Sequence, residues 1–173
     1  MLKLIARLLK VLNSENDPGQ ISLGFCFAMI IGLTPLMTLH NILVIFLVCI
    51  LRANLSAFLL GFMVFTGIAY LLDPLFDRLG LVLLTADPLE PLWTSMYNLT
   101  LFRLESFNNS IVMGSLVFSL VLFIPMYFLF NLLIVKYRDH LLSWIQKSRV
   151  MKFFMASKFY QVYKSITGLG GTA

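Results

Sequence analysis

Residues 17–52 read DPGQISLGFCFAMIIGLTPLMTLHNILVIFLVCILR, and how this stretch divides decides the fold. Between Asp17 and Arg52 lie 34 residues without a charged side chain, His40 aside. That is too long for one membrane span, which takes about 20 residues. The run is broken at Gly32-Leu33-Thr34-Pro35. Proline removes a backbone donor and pushes the residue before it away from helical geometry, and a nearby glycine weakens the helix further. The pattern predicts two arms, Pro18 to Leu33 and Leu36 to Leu51, joined by a polar elbow. At about 1.5 Å per residue each arm is about 24 Å long, short of the roughly 30 Å hydrocarbon core. The simplest expectation is a re-entrant hairpin that dips in and returns to the same side. The rival topology makes both arms full crossings, with the elbow outside and the same ends.

The whole chain fits this setting. Its 173 residues are 60% hydrophobic and only 12% charged, where soluble domains carry about 25% charged residues. Two further apolar runs, Leu55 to Leu72 and Ile111 to Val135, have the length of spans. The expected fold is an all-α integral membrane protein, a single membrane domain over residues 1–173. Its parts are an interfacial amphipathic helix and linker (1–16), the broken hairpin (17–52), a span (55–72), an extracytoplasmic segment (73–110), a second span (111–135) and a basic tail (136–173). Within the extracytoplasmic segment, Asp73-Pro74 is expected to end the first span, with Leu75 to Leu84 as a separate short helix.

Charge orients these parts. Residues 1–17 carry +1, Arg52 stands alone, residues 73–105 carry −3 and the tail from Lys136 carries +6. The positive-inside rule places both termini and Arg52 in the cytoplasm and the acidic segment outside. Lys3, Arg7 and Lys10 share one face of a leucine-rich helix, and the tail mixes seven basic residues with Trp144, Phe153, Phe154 and Phe159. Both patterns suit anionic lipid headgroups, and no nucleic-acid partner is expected. Packing of the first helix on the protein itself is the plainer alternative. No cleavage site follows the basic start, so no removable signal peptide is expected.

Polar groups at membrane depth are costly and become functional candidates. Thr34, Pro35, Thr38, His40 and Asn41 cluster around the elbow, and Arg52 and Asn54 form the turn after the second arm. The elbow's polar groups have a plainer use, satisfying backbone groups that Pro35 frees. Gly24 and Gly32 belong to a set of small residues that lets a helix approach a neighbour or a partner closely. Chemistry is thin. His40 has no carboxylate near it in sequence, Cys26 and Cys49 lie in apolar arms, and no metal spacing or phosphate loop is present. Asp73, Asp77 and Arg78 share a helical turn, where a salt bridge explains them. The expectation is a non-enzyme with no metal and no cofactor.

Asp17-Pro18 with Ser22-Leu23-Gly24-Phe25, Ile31-Gly32-Leu33-Thr34-Pro35-Leu36, His40 and Leu51-Arg52-Ala53-Asn54 together resemble a small bacterial membrane family, domain of unknown function 2062. The likeness covers roughly residues 15 to 85. The family's Asn-Pro-x-Thr element is replaced here by Val64-Phe65-Thr66-Gly67. Phe107-Asn108-Asn109-Ser110 and Met113-Gly114-Ser115 are similar to a Gram-negative subgroup encoded beside an AsmA-like envelope protein. The resemblance implies a bacterial inner-membrane location and that larger protein as partner. Function is then expected to be that of a small subunit of an AsmA-like lipid-transfer protein, with Gly24, Gly32, Thr34, Pro35, Asn108 and Asn109 shaping a helix interface or lipid path. The alternative is a homo-oligomeric transporter or lipid flippase, with Thr34, Thr38, His40 and Asn41 lining its site.

Overall fold

The structure, a computed structural model, describes residue 11 and residues 17–141. Most of the N-terminal amphipathic helix and of the basic tail lies outside the described residues. Val11 is described, and its side chain is buried against Ile21, Ala57 and Ile134.

From residue 17 on, among the described residues, six α-helices follow one another: α1 Pro18–Leu33, α2 Leu39–Ile50, α3 Leu55–Leu84, α4 Glu90–Tyr97, α5 Thr100–Leu104 and α6 Ser110–Lys136. Two of them, α3 and α6, are long and apolar enough to cross a membrane. No strand occurs among the described residues.

Local rules account for most boundaries. Asp17 caps α1, its carboxylate accepting from the Gly19 N–H at 2.9 Å, with Pro18 in the first turn. Asn54 caps α3 by accepting from the Ala57 N–H at 2.8 Å, and Asn109 caps α6 by accepting from the Ile111 N–H at 2.9 Å. Arg52 closes α2 in the left-handed region at φ 51, and the Ala53 N–H then reaches the Val48 carbonyl at 3.1 Å. This is the usual helix-ending turn, with arginine where glycine is commonest.

Two expectations are corrected. Helix α2 begins at Leu39, not Leu36, so the elbow runs from Thr34 to Thr38. The carbonyls of Pro35 and Leu36 are taken by the side chains of Thr38 and Asn41. Helix α3 does not stop at Asp73-Pro74; it continues unbroken to Leu84 with Pro74 inside it. Tertiary packing overrides the proline's cost of about 3 kcal/mol. Just beyond Pro74, Phe76 is fully buried and stacks on Phe118 of α6 at 5.3 Å, and Gly80 lies against the Ser110 backbone. Among the described residues the expected salt bridge of Arg78 with Asp73 or Asp77 is not made; Asp77 instead accepts from the Ser110 hydroxyl.

Helix α1 is the centre of the bundle, packed on α3, α6 and α2. It runs parallel to α3. Gly24 faces Asn54 and Ala57 at the start of α3, and Gly32 faces Phe65 and Thr66 further along. Helix α6 runs antiparallel to both: Phe130 meets Phe25 near the start of α1, and Gly114 meets Phe76 near the far end of α3. Gly32 near the end of α1 meets Phe65 and Thr66 of α3, Met29 and Leu33 join a buried cluster with Phe76, and α3 continues on to Leu84.

Candidate functional site

The elbow is where the structure concentrates polar side chains. Thr34 and Asn41 face each other, hydroxyl to amide oxygen at 3.1 Å, and the Thr34 hydroxyl also reaches the Ile30 carbonyl at 2.9 Å. The Asn41 amide donates to the carbonyls of Pro35 at 2.9 Å and Leu36 at 3.3 Å. The Thr38 hydroxyl donates to the Pro35 carbonyl at 3.0 Å. Thr34, Thr38 and Asn41 are all buried. An asparagine with its oxygen on a hydroxyl and its amide hydrogens on two carbonyls is nearly saturated. These three side chains rebuild, from one segment, the partners that the chain break removes.

His40 adds what its own neighbourhood in sequence could not supply. The Glu105 carboxylate, 65 residues away, accepts from the His40 N–H at 2.9 Å with one oxygen and engages ring Nδ1 with the other. Ring Nε2 lies 3.2 Å from the Thr38 hydroxyl. Nδ1 faces a carboxylate and so carries the ring proton there. A carboxylate on a backbone N–H of the first turn also complements the positive end of the helix dipole. Thr38, at the N-cap position, makes no capping bond with its side chain, so Glu105 does that work for α2.

The remaining candidates fall elsewhere. Gly24 and Gly32 form the α1–α3 seam: a Cβ on Gly24 would lie 2.6 Å from the Asn54 carbonyl oxygen, and one on Gly32 2.6 Å from Phe65 Cβ. The small-residue face of α1 is thus spent on a helix of the same chain. Arg52 and Asn54 sit at the opposite end of the hairpin from the elbow, where the Asn54 N–H donates to the Gln20 carbonyl at 3.0 Å. Asn108 is exposed and lines a shallow cleft of about 360 Å³ with Trp93, Tyr97, Asn98 and Phe107, while Asn109 is occupied as the α6 cap. Pro35 is exposed on the elbow.

Sequence reasoning missed Glu105, Gly80 and Gly114. The two glycines let α3 and α6 touch backbone to backbone, a Cβ on either colliding with a main-chain carbonyl of the other helix. Their wide separation in sequence hides the pairing. Glu105 had no local signal beyond being a carboxylate in an acidic segment.

Fold and site together define a small all-helical protein built on two long apolar helices, with a short broken hairpin latched by a histidine–glutamate pair. The chain belongs to the family described as an uncharacterized protein conserved in bacteria (DUF2062), whose model matches residues 3–142. The match runs past the residues 15 to 85 marked by the punctuating motifs, through Glu105 and α6. An uncharacterized protein of Treponema pallidum (strain Nichols) is 26% identical over 156 residues, covering 90% of this chain and 94% of that one. No solved structure matches.

Proposed function

We propose that this chain is a small bacterial inner-membrane subunit that partners a larger AsmA-like envelope lipid-transfer protein. In this reading α3 and α6 cross the membrane, both termini face the cytoplasm, and residues 85–109 lie outside. The hairpin α1–α2 is re-entrant. Its arms are about 24 Å and 18 Å long, and α1 ends opposite Phe65 and Thr66, the eleventh and twelfth residues of α3. It enters from the end that carries Arg52 and Lys136, and its elbow points toward the Glu105 side.

The observation that carries the partner reading is the outer face of α2. Ile42, Leu43, Ile45, Phe46 and Ile50 are all more than half exposed, and the helix packs chiefly on α1. A short helix held on one side only offers an apolar ridge to another membrane helix. A multi-copy transporter uses the same ridge as its subunit interface and is the second reading. It loses ground at the elbow, where Thr34, Thr38 and Asn41 are turned onto their own backbone.

The test is a photo-crosslinker in place of Phe46 in the full chain, in native membranes, with products identified by mass spectrometry. A crosslink to one large envelope protein supports the subunit reading. A crosslink to a second copy supports the transporter, and products with lipid alone overturn both interfaces.

A further inference from the structure

Residues 85–109 form a strap whose two ends are pinned together. At one end α3 leads into it through Leu84; at the other it leaves into α6 at Ser110. Gly80 packs on the Ser110 backbone, and Asp77 accepts from the Ser110 hydroxyl. Between these ends the strap has little holding it. Neither α4 nor α5 contains a buried residue, and Leu92, Tyr97, Leu99, Leu101 and Leu104 are exposed. Its own core is Phe107, between Trp93 at 6.2 Å and Phe102 at 6.4 Å. Trp93 is tied back to the end of α3, its ring N–H donating to the Leu83 carbonyl at 3.0 Å. Among the described residues, the hydrogen bonds that join the strap to the hairpin are those from His40 to Glu105.

The backbone around this contact is set for it. Ser106, next after Glu105, sits in the left-handed region at φ 56, a conformation that costs a non-glycine residue about 1–2 kcal/mol. Such strain persists where the surroundings hold it. Here the Asn109 N–H donates to the Ser106 carbonyl at 2.9 Å, and Glu105 on one side and buried Phe107 on the other are both anchored. Segments with few buried contacts open first and as units.

We propose that the Glu105–His40 contact is the catch of a strap closure: residues 85–109 are held against the first turn of α2 by this pair and swing away as a unit when it is broken. Opening pivots on the pinned ends at Leu84 and Ser110 and leaves the helical bundle intact. It frees the His40 N–H at the start of α2. This inference does not rest on the partner reading above.

The experiment measures distances between spin labels in the full-length protein in lipid nanodiscs, with Cys26→Ser and Cys49→Ser as background. One label pair, Ser95→Cys with Tyr70→Cys, reports strap against bundle. The other, Met63→Cys with Leu120→Cys, reports α3 against α6. The parent should give one narrow strap distance. Glu105→Ala should add a longer second population and His40→Ala, which keeps its backbone N–H on Glu105, a smaller one, and the double variant should match Glu105→Ala because the whole contact is then already gone. Glu105→Gln, which keeps an acceptor for the backbone N–H, should give a smaller second population. An unchanged strap distance in all variants makes Glu105 a plain helix cap and overturns the proposal. So does a double variant whose effects add, or a bundle pair that broadens together with the strap pair.

Discussion

The two arms of the hairpin are both apolar and adjacent in sequence, yet they end in opposite surroundings. In α1, Ile21, Cys26 and Ala28 have no exposed surface and every residue from Cys26 to Leu33 is buried. In α2 only Asn41, Val44 and Val48 are buried. Small residues make the difference. Helix α1 contains Gly24, Ala28 and Gly32, which face Ala57, Gly61 and Phe65 of α3 so closely that side chains there would collide. Helix α2 has neither glycine nor alanine and is rich in branched residues. In the membrane setting proposed above, an apolar side chain gains little by leaving lipid for protein, so close packing decides burial. The arms are also capped differently: α1 by Asp17 next to it, α2 by Glu105 from across the fold.

The largest break in this contrast comes from filling the α1 seam. Gly24→Val should destabilise by about 3 kcal/mol, the top of the usual overpacking range, because the Asn54 carbonyl it would meet is backbone. Ile45→Ala on the exposed face of α2 should stay within about 0.5 kcal/mol. Unfolding by denaturing detergent in mixed micelles measures both, and equal effects would end the distinction between the arms. Emptying the core is next: Met29→Ala, buried against Leu33 and Phe76, should cost about 2–4 kcal/mol and Leu43→Ala almost nothing.

At the elbow, Asn41→Leu keeps the size but strands the Leu36 carbonyl and leaves the Pro35 carbonyl to the Thr38 hydroxyl alone. A loss of about 1–3 kcal/mol is expected, with faster hydrogen exchange confined to the start of α2. The smallest effect sharpens the capping difference. Asp17→Ala should cost about 1 kcal/mol and raise exchange only in the first turn of α1, since that cap is local.

Much of this arrangement is legible in residues close together in sequence. Asp17-Pro18 starts α1 and Thr34-Pro35 ends it, because each acts on a backbone group within a few positions; Asn54, expected in a turn, and Asn109, expected in an interface or lipid path, cap α3 and α6. The small residues of α1 mark it as a packing arm for the same reason: their spacing sets one helix face. The elbow's threonines and asparagine are legible as candidates, and their hydrogen bonds go to the carbonyls of Ile30, Pro35 and Leu36. Gly80 with Ser110, and Gly114 with Phe76, are not legible, because either glycine alone reads as a weak helix former.

The sequence by itself determined that the chain is helical and apolar, where its first arm begins and ends, and that the hairpin breaks at Pro35. Each of these follows from interactions spanning about one helical turn. Only the tertiary structure decided that α1 is the centre and α2 the margin, that α3 runs on through Pro74, and that Glu105 closes on His40. Burial of Phe76 against α6 outweighs a local proline rule, and a carboxylate can find a helix N-terminus 65 residues away only after the bundle has brought the two together.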